Sequence, residues 1–312
     1  MISSFFGKTK PINYIIVLTV LFMFYWIVRF LWLDVEFNPQ IIIGNIGVLS
    51  ILFFSFFVVN FIVKRNKLTK TNSFTILFYA LLCILFPESL LDNNGIFCSF
   101  FLLLATRKLL SLKSLKDIKY KIFDAAMWVI IASLFYDWAL IYLVWIFITI
   151  YMYEPKNIRN WFIPIAAFVA IFLITLSILV LTNKTVFFLN HYTFTLRFNK
   201  EMFLEWNKSS KLVVYLLAII FVGFLGGIKI GKSGVGRKAS IRLIAFSFVI
   251  GVALTLLEAA KGSFPIMVTF FPAAVFLTNY VETIRKPRLK EVALIFSIVV
   301  PFSIFIFEVL LN

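Results

Sequence analysis

The residues that could do chemistry in this chain are few, and they stand where apolar runs end. In RFLWLDVEFNPQ, residues 29–40, Arg29, Asp34 and Glu36 close a long apolar stretch. An acid pair held at a membrane surface can deprotonate a hydroxyl, with one carboxylate as general base. The same three residues can equally serve a helix end, Arg29 snorkelling outward to place its charge beside Asp34 and Glu36. Glu88 and Asp92 stand in FPESLLDNNG and Asp137 in FYDWA, each between two short apolar runs. In EAAKGSFP, Ser263 is placed to N-cap a helix from 264, with Pro265 in its first turn and Lys261 beside it. Free amides, the helix dipole and that ammonium would together hold a phosphate or carboxylate. The alternative is a plain helix start with a Glu258–Lys261 surface pair. Arg197, in the long polar segment 183–210, is a further cation for an anionic group.

Other patterns carry less. His191 is the only histidine, so a multi-histidine iron or zinc site cannot be built, and no metal site is expected. It reads as a polar tip in an interfacial segment. GGIKIGKS, residues 226–233, matches the phosphate-loop pattern at Gly226, Gly231, Lys232 and Ser233. That loop needs a strand before it and a helix after it. The apolar run KLVVYLLAIIFVGFLG precedes it instead, so a basic connecting loop is expected. Within 183–210, Tyr192, Phe194, Leu196 and Phe198 alternate like a strand, while Phe187, His191, Phe194 and Phe198 share one helical face. Cys83 and Cys98 fall inside apolar runs, which does not indicate a disulfide. No cofactor is implied.

The elements that must position these residues are membrane helices. Hydrophobic residues make up 62% of the 312 and charged ones 14%, more apolar surface than one water-facing fold can bury. Runs near 13–33, 40–63, 74–86, 95–112, 122–136, 138–153, 161–182, 211–230, 241–257, 264–281 and 292–311 are candidate spans. The expected fold is an all-α polytopic bundle of about 11 segments, several shorter than the ~20 residues of a full crossing. Alternate loops hold 23 of the 30 lysines and arginines. The positive-inside rule therefore puts the N-terminus in the cytoplasm. The net charge of +16 is explained by those loops and does not point to nucleic acid. Eight of the 14 acids fall on the opposite side: Asp34, Glu36, Glu88, Asp92, Asp137, Glu201, Glu205 and Glu258. Residues 1–312 read as one integral membrane domain. Short, broken helices are tolerated where they are buried in protein or line a wet cavity. An outward-facing polar cavity near Glu88, Asp92 and Asp137 is one expectation; ordinary tight turns are the other.

Four stretches, MISSFFGKTKPINY, NFIVKRNKLTKTNS, FDAAMWVIIASLFYDWA and FFPAAVFLTNYVE, resemble an uncharacterised multi-span family of Bacteroidota inner membranes. That likeness implies an inner-membrane location and names no reaction. The chain also resembles, more weakly, the GT-C class of polytopic glycosyltransferases. These take sugars from polyprenyl phosphates with an acid of the first outer loop as general base, the place that Asp34 and Glu36 occupy here. The resemblance implies a transferase of envelope glycan assembly, with Lys261 and Arg197 holding the phosphate leaving group. A non-catalytic membrane subunit binding partner membrane proteins, and a transporter or flippase, are the alternative readings.

Overall fold

The computed structural model describes residues 2–32, 39–194, 206–230 and 234–311, so Asp34, Glu36, Arg197 and Lys232 lie outside the described residues. Among these residues the chain is helical and has no strand. In order the helices are α1 (Ile2–Phe6), α2 (Pro11–Trp32), α3 (Pro39–Asn66), α4 (Phe74–Leu85), α5 (Glu88–Leu91), α6 (Asn93–Ser111) and α7 (Ile118–Ser133). They continue with α8 (Tyr142–Tyr153), α9 (Ile158–Leu181), α10 (Val186–His191), α11 (Trp206–Ile230), α12 (Val235–Ala259), α13 (Phe270–Thr283) and α14 (Pro287–Leu311). Short 3-10 turns precede α8 and α13, at Asp137–Ile141 and Ile266–Thr269. Proline opens α2, α3 and α14, where its fixed φ suits the first turn and its missing N–H costs nothing.

Eight helices are long and apolar enough to cross a membrane, and Phe74–Leu85 and Asp137–Tyr153 are shorter apolar helices. The protein is an all-helical, multi-pass membrane protein. Burial differs widely among the helices. In α4 every residue but the last is buried, and 78% of the span Ile266–Thr283 is buried. Only 11% of the span Pro287–Leu310 and 17% of Ile158–Leu181 are buried. A helix too short for the hydrocarbon slab is stable when protein surrounds it, because its ends then meet partners other than lipid. The short α4 and the span Ile266–Thr283 therefore lie in the core, while α9 and α14 present most of their surface outward. Small contacts set the core spacing. A Cβ on Gly251 would come within 2.8 Å of the Tyr142 hydroxyl, which donates to the Ser247 carbonyl at 3.1 Å.

One end of the bundle is tied by the basic loops. Glu291 accepts from the amides of Ile2 and Ser3, seating an anion on the N-terminus of α1. Glu282 accepts from the Lys70 amide at 2.7 Å and Asn72 Nδ2 at 2.6 Å, with Arg237 at 3.8 Å. The other end carries Glu88, Asp92, Asp137 and Lys261.

The described part of GGIKIGKS, through Ile230, is helix and not loop. Gly226 and Gly227 lie within α11, which continues to Ile230; Gly231 and Ser233 lie outside the described residues. In 183–210 the described part is helical at α10, where Phe187 stacks on His191 at 4.8 Å, and Leu196 and Phe198 lie outside the described residues. Cys83 and Cys98 are both buried free thiols.

Candidate functional site

Two polar clusters and one cavity occupy the acidic end. The first cluster is built on the turn before α8. Asp137 is 2% exposed; its Oδ2 accepts from Lys261 Nζ at 2.5 Å and the Phe194 amide at 3.0 Å, and its Oδ1 from the Trp138 amide at 2.8 Å. Glu258, also 2% exposed, accepts from the Trp138 amide at 3.2 Å, so that one N–H serves both acids. His191 Nε2 lies 2.7 Å from the Ser133 carbonyl, to which its N–H donates. The cluster fastens α7, α12 and the segment after α10 to one another.

Lys261 thus pairs with Asp137 and not with Glu258 at the surface, because Glu258 points inward from the last turn of α12. Nor does Ser263 cap a helix. The 3-10 turn begins at Ile266 behind Pro265, without a side-chain cap, and α13 begins at Phe270 behind Thr269. EAAKGSFP is the exit of α12. Gly262 takes φ +81° and the Ser263 amide donates back to the Glu258 carbonyl. Glycine in the left-handed conformation after a helix, followed by proline, is a stop signal, and it outweighs the serine.

Asp137→Asn is expected to destabilise the protein by about 2 kcal/mol or more, since an amide N–H would then face Lys261 and the Phe194 amide. Limited proteolysis should show faster cleavage within residues 184–194. Unchanged cleavage would show that the cluster does not hold this segment.

The second cluster surrounds Arg29, which is 2% exposed. One guanidinium nitrogen donates to Asn45 Oδ1 at 2.6 Å; the other donates to the Leu90 carbonyl at 3.0 Å and to Asn93 Oδ1. The guanidinium also lies 4.6 Å from the centre of the Tyr25 ring. Arg29 therefore does not snorkel toward head groups. It turns into the bundle, where amide oxygens from α3, α5 and α6 converge on its planar fork. Next to it, Asp92 caps α6 through the Gly95 amide at 2.9 Å and accepts from the Tyr136 hydroxyl at 2.7 Å. Burial holds its carboxyl above the usual carboxylate range, against the pull of those donors. The side chains of Asp92 and Asp137 are taken up by protein partners.

The large cavity opens sideways between α11 and α14, with α4 as its floor. Its volume is about 1410 Å³, beyond the ~300–1,000 Å³ of small-molecule pockets. Phe78, Leu82, Ile219, Val300, Pro301 and Phe307 are among its apolar walls. Its polar head is Lys211 of α11 with Glu88 of α5 and Glu308 of α14. The Lys211 side chain is 8% exposed; its Nζ is 3.0 Å from Glu88 and 2.6 Å from Glu308, and 5.2 Å from the centre of the Phe86 ring. The other Glu308 oxygen, Oε2, is buried without a hydrogen-bond partner.

Of the residues singled out by sequence, the structure brings Asp137 to Lys261, places Glu88 at the cavity and sets Asp92 in a helix cap. Lys211 and Glu308 were missed. Each is a charge inside an otherwise apolar run, KLVVYLLAII and FSIFIFEVLL, and an ionisable residue within a membrane helix is itself a pointer to a site. Among the described residues no three His, Cys, Asp or Glu side chains gather to hold a metal. No family model, characterised protein or solved structure matches the chain.

Proposed function

We propose that this is a lipid-binding protein of the bacterial inner membrane, taking one amphipathic lipid sideways from the bilayer into the cleft between α11 and α14. The observation that carries the reading is the shape of that cleft, an apolar trough of about 1410 Å³ whose charges, among the described residues, stand at one end. Acyl chains match its walls by the hydrophobic effect, and a head group matches Lys211, Glu88 and Glu308. Loading needs no passage through water, because both flanking helices are among the most lipid-exposed of the bundle. The proposed topology has eleven segments with the N-terminus in the cytoplasm, supported by the 23 basic residues on alternate loops. The inner-membrane location is supported by that bias and by the likeness to the Bacteroidota family. Handling of a lipid as cargo, as in a transporter or flippase, is the second reading of the same cleft, favoured by its sideways opening between two exposed helices. A polyprenyl-phosphate donor would ask for a cation to neutralise its phosphate, whereas Lys211 is shared by two carboxylates and Lys261 is bound to Asp137.

Ala218 lines the cleft and is exposed there. Ala218→Trp should fill the trough and lower the co-purifying lipid about tenfold, read by mass spectrometry of lipid extracted from protein in mild detergent. Its melting temperature should stay near that of the parent. Equal lipid in both proteins would overturn the reading.

A further inference from the structure

We infer that the head of the cleft selects a two-chain lipid bearing a primary ammonium group, an inference that rests on the cleft being a lipid site. Among the described residues the charged groups facing the head are Lys211 from α11, Glu88 from α5 and Glu308 from α14. The sum of these described groups is one cation and two anions, one negative charge in excess. An anionic head group would add a second uncompensated charge beside Glu308 and Glu88, where repulsion opposes it.

Hydrogen bonding narrows the class further. The Lys211 ammonium spends its donors on both Glu88 oxygens, at 3.0 and 3.4 Å, and on Glu308 Oε1 at 2.6 Å. Glu308 Oε2 is left buried with no donor. A buried carboxylate oxygen without a partner is costly, and a ligand N–H placed against it removes that cost. A primary ammonium supplies both the missing charge and the missing N–H. A quaternary ammonium supplies the charge alone. An uncharged glycerol head supplies a hydroxyl donor but leaves its phosphate charge unopposed.

The test uses the full chain in mild detergent and three dioleoyl lipids, phosphatidylethanolamine, phosphatidylcholine and phosphatidylglycerol. Retention of each is measured by native mass spectrometry. Phosphatidylethanolamine is expected to be retained about tenfold more than either of the others, the size of one charge-assisted hydrogen bond. Glu308→Gln removes the second anion and puts an amide donor beside the ligand ammonium. It should erase that preference while the total of the three lipids bound stays within about twofold of the parent. Glu88→Gln, at a side chain 40% exposed, leaves the Glu308 oxygen in place and should keep part of the preference, should Glu308→Gln fail to fold. Equal retention of all three lipids by the parent, or a preference for phosphatidylglycerol, overturns the ammonium selection while the cleft reading stands. Loss of preference in neither variant also overturns it. Retention of none of the three, together with no effect of Ala218→Trp on co-purifying lipid, removes the cleft reading itself.

Discussion

Arg29→Ala is expected to lower stability by about 3–5 kcal/mol, more than a typical core truncation. The guanidinium satisfies three acceptors at once, on Asn45, Leu90 and Asn93. Alanine would leave the Asn45 and Leu90 oxygens buried without a donor, take the guanidinium from Asn93, and open a cavity beside the Tyr25 ring. Each unpaired acceptor costs about 1–3 kcal/mol, less than additively when neighbours relax together. Arg29→Lys should recover only part of the loss, since a compact ammonium cannot reach from Asn45 to Leu90 and Asn93 as a planar fork does. Thermal unfolding in detergent, followed by tryptophan fluorescence, gives the order parent, Lys, Ala. If the lysine variant melts with the parent, charge alone matters and the fork geometry does not.

Lys211→Met is expected to cost about 3–5 kcal/mol, by stranding two carboxylates at the head of the cleft. Its side chain is the most enclosed of the three charges, and both acids depend on it. The double variant Lys211→Met with Glu308→Gln should be more stable than Lys211→Met alone, because the second change removes the charge that the first leaves unpaired. That sign reversal is the informative result. Two independent destabilisations that simply add would show that Lys211 and Glu308 do not interact.

Much of the fold was legible. The apolar runs located the helices because a buried or lipid-facing helix must be greasy on most sides. Pro11, Pro39 and Pro287 marked helix starts through their fixed φ. Gly262 followed by Pro265 held a stop signal that the nearby serine obscured. Shortness was legible too, but its meaning was not. The structure puts the run 74–86 in the core, where Phe78, Leu81, Leu82 and Leu85 also floor the cleft.

The candidate site was much less legible. By its own composition the sequence determined that this chain spans a membrane many times and gathers its basic residues on alternate loops. Those properties depend on each segment's transfer from water to lipid, a sum over neighbours in the chain. Only the tertiary structure decided which charges meet. Lys211 joins Glu88 and Glu308 across separations of 123 and 97 residues, and Lys261 joins Asp137 across 124. Spacing of 3.6 residues per turn says which side chains share one helix face. It says nothing of which helix comes to lie opposite, because that choice is made by packing of the whole bundle, and ion pairs follow from it.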